Sequence, residues 1–237
     1  MPTARSTPGF PASTLGLPRL HLRRTDSTNS RAREMASAGA PHGTLVTAAE
    51  QTAGRGRQGR TWSAAAGRAL LCSLVVRDPP RLLPLATGVA VAETVGDRAV
   101  LKWPNDVLLD GRKVGGILVE GRPQEGWAVI GIGLNVALRE DDFPPELRET
   151  AGTLGLDPEA LEPTLERLLS ALERWIAADA DAVLGAVRAR DALLDQPVRW
   201  AGGAGRGAGI DGDGRLVVIT DGGRVELDAG EVHLGRA

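Results

Sequence analysis

Two lysine side chains that could bind an anion lie close together in the sequence. The chain of 237 residues has 28 lysine and arginine residues, and only Lys102 and Lys113 are lysines. Both lie in KWPNDVLLDGRKVGGILVE, residues 102–120, whereas arginine supplies the positive charge elsewhere. Chance is one explanation, but a compact ammonium differs chemically from a planar guanidinium. The two residues therefore indicate places where a point charge is needed.

The segment around these lysines has the pattern of strands joined by tight turns. Apolar runs flank a Trp-Pro-Asn-Asp corner and then Asp110-Gly111, a dipeptide typical of hairpin turns. Lys113 opens the following strand, and Gly115-Gly116 lies inside it, where glycine marks a close approach to the backbone. A lysine beside two glycines that leave the strand backbone accessible predicts a site for a phosphate or a carboxylate.

Residues 54–62, GRGRQGRTW, form a second candidate anion site. The loop matches the G-x-G-x-x-G pattern of dinucleotide-binding folds, but it leads to a strand instead of a helix. Arg55, Arg57 and Arg60 are interspersed with its glycines, which favours an anion clamp that is mobile before it binds. A solvated Arg-Gly-rich tail or an RNA-binding patch is the alternative, although Trp62 is the one aromatic residue there for base stacking.

Polar groups in two further segments are placed to hold a ligand. The run TDSTN, residues 25–29, precedes a predicted helix at 30–38, and either Asp26 or Ser27 suits its N-cap. The apolar strand WAVIGIGLNVAL, residues 127–138, leaves room beside Gly131 and Gly133 and carries the polar side chain of Asn135. Capping of a turn is the structural alternative for Asn135.

The composition is that of an ordinary folded chain. Apolar residues make up 42%, charged residues 24%, and the formal net charge of −2 argues against bulk nucleic-acid binding. The single cysteine, Cys72, excludes an internal disulfide and is expected to be buried. The three histidines lack ligand spacing, so we predict no metal site from them. Without a long apolar run or a secretory signal, we expect a cytoplasmic protein outside the membrane.

The predicted secondary-structure pattern changes at Gln196-Pro197. Before it, apolar patterns predict a strand at 69–76, a helix from about 82 to 96, an amphipathic helix at 158–176 and a second helix from about 181 to 194. After it, short alternating strands are separated by Asp-Gly and Gly-Gly turns, which predicts a small antiparallel barrel. Residues 1–18 are rich in Pro, Ser and Thr, which favours a flexible segment.

The motifs EQTAGRGRQGRTWS, KWPNDVLLDGRKVGGILVE and GIGLNV, preceded by DSTN, closely resemble those of biotin–protein ligases. The resemblance covers about residues 20–237. It implies an α+β fold, in which a mixed, largely antiparallel sheet is flanked by helices as in class II aminoacyl-tRNA synthetases, and a small C-terminal SH3-like β-barrel. The expected domains are a flexible segment over 1–19, a biotin- and ATP-binding catalytic domain over 20–195 and the SH3-like domain over 196–237.

The resemblance implies a ligase that works in two steps. Biotin and ATP, with Mg²⁺, form biotinyl-5′-AMP and release pyrophosphate, and biotin then passes to a lysine of a biotin carboxyl carrier protein domain of an acyl-CoA carboxylase. Because so few residues precede the catalytic domain, we expect no DNA-binding domain and no repressor activity. The sequence leaves a homodimer open.

Roles for individual residues follow from the same resemblance. The expected catalytic residues are Lys113, Arg57 and Asp106. The expected biotin-binding residues are Ser27, Thr28, Asn29, Gln51, Arg55, Gly115, Gly116 and Ile117. The expected residues around ATP and the adenylate are Arg55, Arg57, Arg60, Trp62, Lys113, Gly131, Gly133 and Asn135. Asp106 is our hypothesis for the group that positions or deprotonates the incoming lysine, and Trp103 and Asn105 are expected to support the corner.

Two other functions compete with this interpretation. A lipoate– or octanoate–protein ligase uses a related catalytic fold and also modifies a carrier lysine, but the pattern GRGRQGR and the C-terminal barrel favour biotin. A non-catalytic regulator that binds biotin or a nucleotide belongs to a different class. The combination of Lys113 with the loop arginines favours phosphoryl transfer over simple binding.

Overall fold

The computed structural model describes residues 15–228 and 230–235. The helices of these residues are α1 (Thr28–Ser37), α2 (Leu83–Val95), α3 (Leu161–Ala177) and α4 (Ala180–Arg188). The strands up to residue 135 are β1 (Arg19–Leu22), β2 (Leu45–Ala48), β3 (Ala69–Arg77), β4 (Val100–Lys102), β5 (Asp106–Leu109), β6 (Arg112–Arg122) and β7 (Trp127–Asn135). The later strands are β8 (Pro197–Trp200), β9 (Gly203–Ile210), β10 (Leu216–Thr220), β11 (Gly223–Leu227) and β12 (His233–Leu234).

The first seven strands form one sheet in the order β1-β2-β3-β7-β6-β5-β4. Strands β1 and β2 are parallel, and all the other neighbours in this sheet are antiparallel. Apolar residues fill β3 and β7 on both faces, which is the pattern of a strand covered by helices on each side. The predicted α+β class with a mixed, largely antiparallel sheet is therefore confirmed.

The helices divide the core of the protein between the two faces of this sheet. Helices α2, α3 and α4 pack in the larger core, where Leu165, Leu168 and Leu172 line up along α3 with 1% exposure or less. Helix α1 packs on the opposite face through Ala32 and Ala36, which contact the region of Val75 and Trp127. The small side chains bring the backbone of α1 close to β3 and β7. The start of α1 is thereby fixed over the centre of the sheet.

The C-terminal strands form a five-stranded antiparallel sheet in the order β11-β10-β9-β8-β12. The expectation was a small antiparallel SH3-like barrel, and the strands pair in antiparallel fashion as predicted. Within the described residues the sheet does not close, and β11 and β12 are its two edges. Strand β12 has two residues and pairs with β8. We call residues 196–235 the C-terminal unit. It contacts the part of the chain that holds the seven-stranded sheet, where the Trp103 indole N–H donates to the Gly214 carbonyl over 3.0 Å.

The expected flexible segment over 1–19 stays a prediction, because residues 1–14 lie outside the described residues. Leu15 is 4% exposed, the Gly16 N–H donates to the Gly43 carbonyl, and Arg19 begins β1. Strand β1 is the edge strand that pairs in parallel with β2.

The other edge of the large sheet is covered by the segment after α4. The expected second helix ends at Arg188 and not near 194, because the following residues leave the helix to pair with β4. The Leu101 N–H donates to the Arg190 carbonyl over 2.7 Å, and the Ala192 N–H donates to the Leu101 carbonyl over 2.9 Å. Asp191 is fixed between these two bonds.

We predict that Asp191 makes stability fall as the pH rises. Its Oδ1 accepts from the Leu193 N–H over 2.8 Å, but Oδ2 is buried without a hydrogen-bond partner among the described residues. Burial raises the pKa of the Asp191 carboxyl above its ordinary value, so ionisation opposes folding. As the pH rises from the ordinary carboxyl pKa through the raised one, the free energy of unfolding of the parent protein should therefore fall relative to that of Asp191→Asn.

Urea denaturation of both proteins between roughly pH 3 and pH 7 measures this difference. Asp110→Asn is a suitable control, because that carboxylate lies on an exposed hairpin turn. Parallel stability profiles for the parent protein and Asp191→Asn would contradict the prediction.

Candidate functional site

A cavity opens where the start of α1, the loop at 51–62 and the strands β6 and β7 meet. The end of the C-terminal unit closes one side of it, at residues 230–232. Seven charged side chains line the cavity, five cationic and two anionic: Arg55, Arg57, Arg60, Lys102, Lys113, Asp106 and Glu231. The excess of positive charge suits an anionic ligand.

Both lysines of the chain point at one carboxylate in this cavity. Lys113 Nζ lies 2.6 Å from Asp106 Oδ1, and Lys102 Nζ lies 3.7 Å from Asp106 Oδ2. The hairpin positions them, since Lys102 in β4 lies opposite Asp106 in β5, while Lys113 begins β6. Burial lowers the pKa of Lys102, whereas the charge of Asp106 acts in the opposite direction. The predicted anion-binding lysine is thus part of a three-residue ionic centre.

The arginine-rich loop is folded against the cavity as a short hairpin. The Gly56 N–H donates to the Arg60 carbonyl over 2.7 Å, and the Trp62 N–H donates to the Gly54 carbonyl over 2.9 Å. Gln58, at the tip, has a φ of 55°. This turn projects three guanidinium groups in three directions.

Each loop arginine contacts a different part of the protein. Arg55 donates to Ser30 Oγ at the start of α1 over 2.6 Å. Arg57 donates to Asn105 Oδ1 over 3.4 Å, and burial lowers the pKa of its guanidinium while Asp106 opposes that effect. Arg60 forms an ion pair with Glu231 of the C-terminal unit. Arg57 therefore contacts the residue next to Asp106 in the sequence.

A buried polar cluster forms the other end of the cavity. Ser27, Thr28 and Asn29 are at most 4% exposed, and Gln51 Oε1 accepts from the Thr28 N–H over 2.7 Å. Ser27 occupies the predicted N-cap position, but its side chain makes no capping bond, because Gln51 satisfies the helix start instead. The cluster presents neutral donors and acceptors next to the charged end.

Ser73, which the sequence analysis missed, joins this cluster from β3. Its Oγ lies 2.8 Å from Thr28 Oγ1 and 2.6 Å from Asn29 Oδ1, and it is fully buried. Asn29 Nδ2 in turn donates to Glu120 Oε2 over 2.8 Å. Serine inside the apolar run ALLCSLVV is the signal that could have been noticed.

Three glycines of the floor are required by close contacts. A Cβ added to Gly131 would lie 2.1 Å from Asn29 Oδ1, and one added to Gly133 would lie 2.4 Å from Trp62 Cε2. At Gly116 the added atom would lie 2.8 Å from Trp62 Cζ3. Gly116 and Gly133 are cross-strand partners, so together they form a flat seat for the indole.

The seated indole also contacts the ionic centre. Lys113 Nζ lies 5.6 Å from the centre of the Trp62 ring, within the range of a cation–π contact. Trp62 Nε1 is buried without a hydrogen-bond partner among the described residues. Ile117, the last predicted floor residue on β6, lines the cavity as well.

Two predicted site residues lie outside the lining of this cavity. Successive residues of a strand face opposite sides of the sheet, so Gly116 faces Trp62 while Gly115 faces Val91 of α2. The Asn135 amide donates to the Gly152 carbonyl over 2.8 Å and is 4% exposed. The structure thus places Asn135 as a support for the loop that also pairs with Lys113, through the Lys113 N–H and the Thr150 carbonyl.

Further expectations concern metal ions and the cysteine. Among residues 15–228 and 230–235, no group of three or more His, Cys, Asp or Glu side chains is arranged to hold a metal ion. Cys72 is buried in β3, and burial raises the pKa of its thiol to about 12.

No helix in the described part of the chain has the length and apolar character needed to cross a bilayer.

A second, wider cavity of about 910 Å³ adjoins the first on the far side of the arginine-rich loop. The two share the loop arginines and the corner at Trp103 and Asn105. The start of α2 and the loop at 213–214 form the opposite wall of the wider cavity. A large ligand or a protein segment therefore has a route to the ionic centre.

Comparison with known families agrees with this geometry. Residues 21–136 match the Biotin/lipoate A/B protein ligase family, and residues 194–235 match the Biotin protein ligase C terminal domain. A biotin–[acetyl-CoA-carboxylase] ligase of Mycobacterium tuberculosis is 36% identical over 237 residues, covering 89% of this chain and 86% of the relative. That of Paracoccus denitrificans is 34% identical and covers 90% and 99%.

Longer relatives match over part of their length. The bifunctional ligase/repressor BirA of Bacillus subtilis is 42% identical over 140 residues, which span 54% of this chain and 43% of that protein. Among solved structures, the biotin protein ligase from Aquifex aeolicus in complex with biotin and ATP has a TM-score of 0.76 and 30% identity, covering 92% of this chain and 99% of the other. The resemblance found in the sequence is confirmed, and the chain belongs to the biotin protein ligase family.

Proposed function

We propose that the protein is an ATP-dependent biotin–protein ligase. It activates biotin as biotinyl-5′-AMP and then transfers biotin to a lysine of a biotin carboxyl carrier protein domain. The observation that carries this proposal is the ionic centre of Lys113, Asp106 and Lys102 beside a buried neutral polar cluster. A ligand with a neutral polar head and a carboxylate matches that combination.

The polar cluster suits the neutral ureido ring of biotin. Thr28, Asn29, Gln51 and Ser73 already exchange hydrogen bonds with one another, so their positions are fixed before a ligand enters. Ser27 is buried beside them and has no capping role. A ligand without the ring would leave such buried groups poorly paired, which provides specificity.

The charged end suits the activation step. In that step a carboxylate oxygen of biotin attacks the α-phosphorus of ATP, and pyrophosphate leaves with the bonding electron pair. Lys113 and Arg57 lie where positive charge stabilises the anionic oxygens, and Arg55 and Arg60 add to the same field. Mg²⁺ neutralises charge on ATP when it is bound, and phosphate oxygens are its expected ligands.

The second step requires a lysine amine of the carrier domain as nucleophile. The amine attacks the acyl carbon of biotinyl-5′-AMP, AMP leaves, and the nitrogen loses a proton. We assign Asp106 to position this amine or to take its proton, because its side chain is only 14% exposed inside the cavity. The expected partner is a carrier domain of an acyl-CoA carboxylase, and the expected compartment is the cytoplasm.

The first test is pyrophosphate release from ATP without a carrier domain. Biotin should support release, and lipoate and octanoate should not, because the polar cluster matches the ureido ring. Release with lipoate alone would assign the protein to the lipoate side of the family. Binding of biotin without any release would make it a non-catalytic regulator.

Lys113→Arg should lower the rate of adenylate formation by about 10²-fold or more. A planar guanidinium cannot replace a compact ammonium that lies 2.6 Å from Asp106 and 5.6 Å from the Trp62 ring. The measurement is the initial rate of pyrophosphate release with saturating biotin and ATP. Arg98→Lys is the matched control, because Arg98 lies in the connection before β4 and pairs with Asp110 at the surface. Near-normal activity of Lys113→Arg would refute its role.

Asp106→Asn should slow transfer from preformed biotinyl-5′-AMP to the carrier domain by about 10²-fold. The amide keeps the size of the side chain but removes the charge that the amine requires. Mass spectrometry of the carrier domain after timed quenching measures transfer without the first step. An unchanged transfer rate would exclude Asp106 from the second step.

A further inference from the structure

Lys102 is the member of the ionic centre to which no role has been given above. It is the last residue of β4 and lies opposite Asp106 in the strand pairing. Its side chain is 18% exposed, although lysine is rarely buried without a specific partner. Every other cation of the chain except Lys113 is an arginine, so the ammonium is retained here by something other than the need for charge.

The two lysines contact different oxygens of one carboxylate. Lys113 approaches Oδ1 at 2.6 Å and Lys102 approaches Oδ2 at 3.7 Å. Burial lowers the pKa of Lys102, and Lys113 and Arg60 repel its charge, while Asp106 favours it. The side chain therefore depends on Asp106, the carboxylate that, within the described part of the chain, offsets its burial.

In the proposed reaction, Asp106 and the anionic substrates compete for the ammonium group of Lys113. In the activation step its ammonium is attracted by the biotin carboxylate and the α-phosphate, whereas here it is bound to Asp106. When Lys113 turns to those anions, Asp106 loses its shorter ion pair. Without a second contact, the carboxylate would be free to rotate away from the acyl carbon before the amine arrives.

We propose that Lys102 is a positioning residue that holds Asp106 through Oδ2 while Lys113 serves the anionic substrate, which leaves Oδ1 directed at the incoming amine. This inference rests on the proposed ligase function. The two lysines then have different roles. Lys113 contacts the phosphate during activation, and Lys102 orients Asp106 for the transfer step. Arg57, whose charge also interacts with Asp106, is bonded to Asn105.

The experiment replaces the ammonium of Lys102 and then restores it chemically. In Lys102→Cys, alkylation with 2-bromoethylamine rebuilds a side chain of lysine length, and alkylation with 2-iodoethanol gives a neutral one. Cys72 should not react, because it is 3% exposed and burial raises the pKa of its thiol to about 12. Intact-mass spectrometry verifies a single modification, and thermal unfolding verifies the fold.

The readout is transfer from preformed biotinyl-5′-AMP at varied carrier concentration. Lys102→Cys should lose about tenfold in kcat with little change in the carrier KM, and aminoethylation should restore most of it while hydroxyethylation should not. In the Asp106→Asn background, aminoethylation should have no effect. Lys102→Arg, which needs no chemistry, should retain more activity than Lys102→Cys. Arg98→Cys, treated identically, controls for a charge away from the cavity, because Arg98 lies at the surface in the connection before β4.

Three results would overturn the inference. They are equal rescue by the neutral and the charged reagents, equal rescue with and without the Asp106 carboxylate, and a loss that appears in the carrier KM. The first would assign Lys102 a packing role, the second a charge effect that does not act through Asp106, and the third a role in docking the carrier. If the parent protein fails to biotinylate a carrier domain from biotinyl-5′-AMP, the proposed function itself fails, and this outcome is distinct because it precedes any variant.

Discussion

The carboxylate of Asp106 lies between two ammonium groups, at 2.6 Å from Lys113 and 3.7 Å from Lys102, in a cavity with an excess of cations. Grouping like charges inside a protein is unfavourable unless an opposite charge is close. Asp106 provides that charge here. The hairpin of β4, β5 and β6 therefore stabilises a cluster that is poised to accept anions, since a bound anion relieves the remaining repulsion.

Close packing determines where this cluster can act. Gly116 and Gly133 seat the Trp62 indole, and Gly131 admits the Asn29 amide, at distances that no side chain on these glycines would allow. The indole in turn lies beside Lys113, so the loop that carries the arginines is anchored to the lysine hairpin. The sheet beneath the cavity thus fixes the position of the neutral polar cluster relative to the charged residues.

Sequence reasoning reached the fold class and most of the cavity for identifiable physical reasons. Apolar period and length predict β3, β7 and α3, while glycines and lysines in unusual local patterns mark the residues that meet in the cavity. Local sequence patterns could not predict the residues that reach the cavity through tertiary contacts. Ser73 meets Asn29 across 44 positions of sequence, and Glu231 reaches Arg60 from the C-terminal unit.

Tertiary contacts also decide which predicted residues lie outside the cavity. Gly115 and Asn135 are adjacent in sequence to residues that line the cavity, but strand alternation places Gly115 against α2, and the Asn135 amide donates to the Gly152 carbonyl. The alternating pattern after Gln196 predicted antiparallel strands, whereas local pattern does not decide whether the two edge strands pair with each other. Local patterns specify which elements form, whereas contacts between distant elements decide which side chains meet.

The anion that Lys113 contacts when the activated ligand is bound can be measured directly. A crystal structure with a non-hydrolysable biotinyl-adenylate analogue measures the relevant distances. We predict that Lys113 Nζ lies within hydrogen-bonding distance of the acyl–phosphate oxygens and has left Asp106 Oδ1, while Lys102 remains beside Oδ2. An analogue bound with Lys113 still at 2.6 Å from Asp106, and with no contact to the phosphate, would contradict the account.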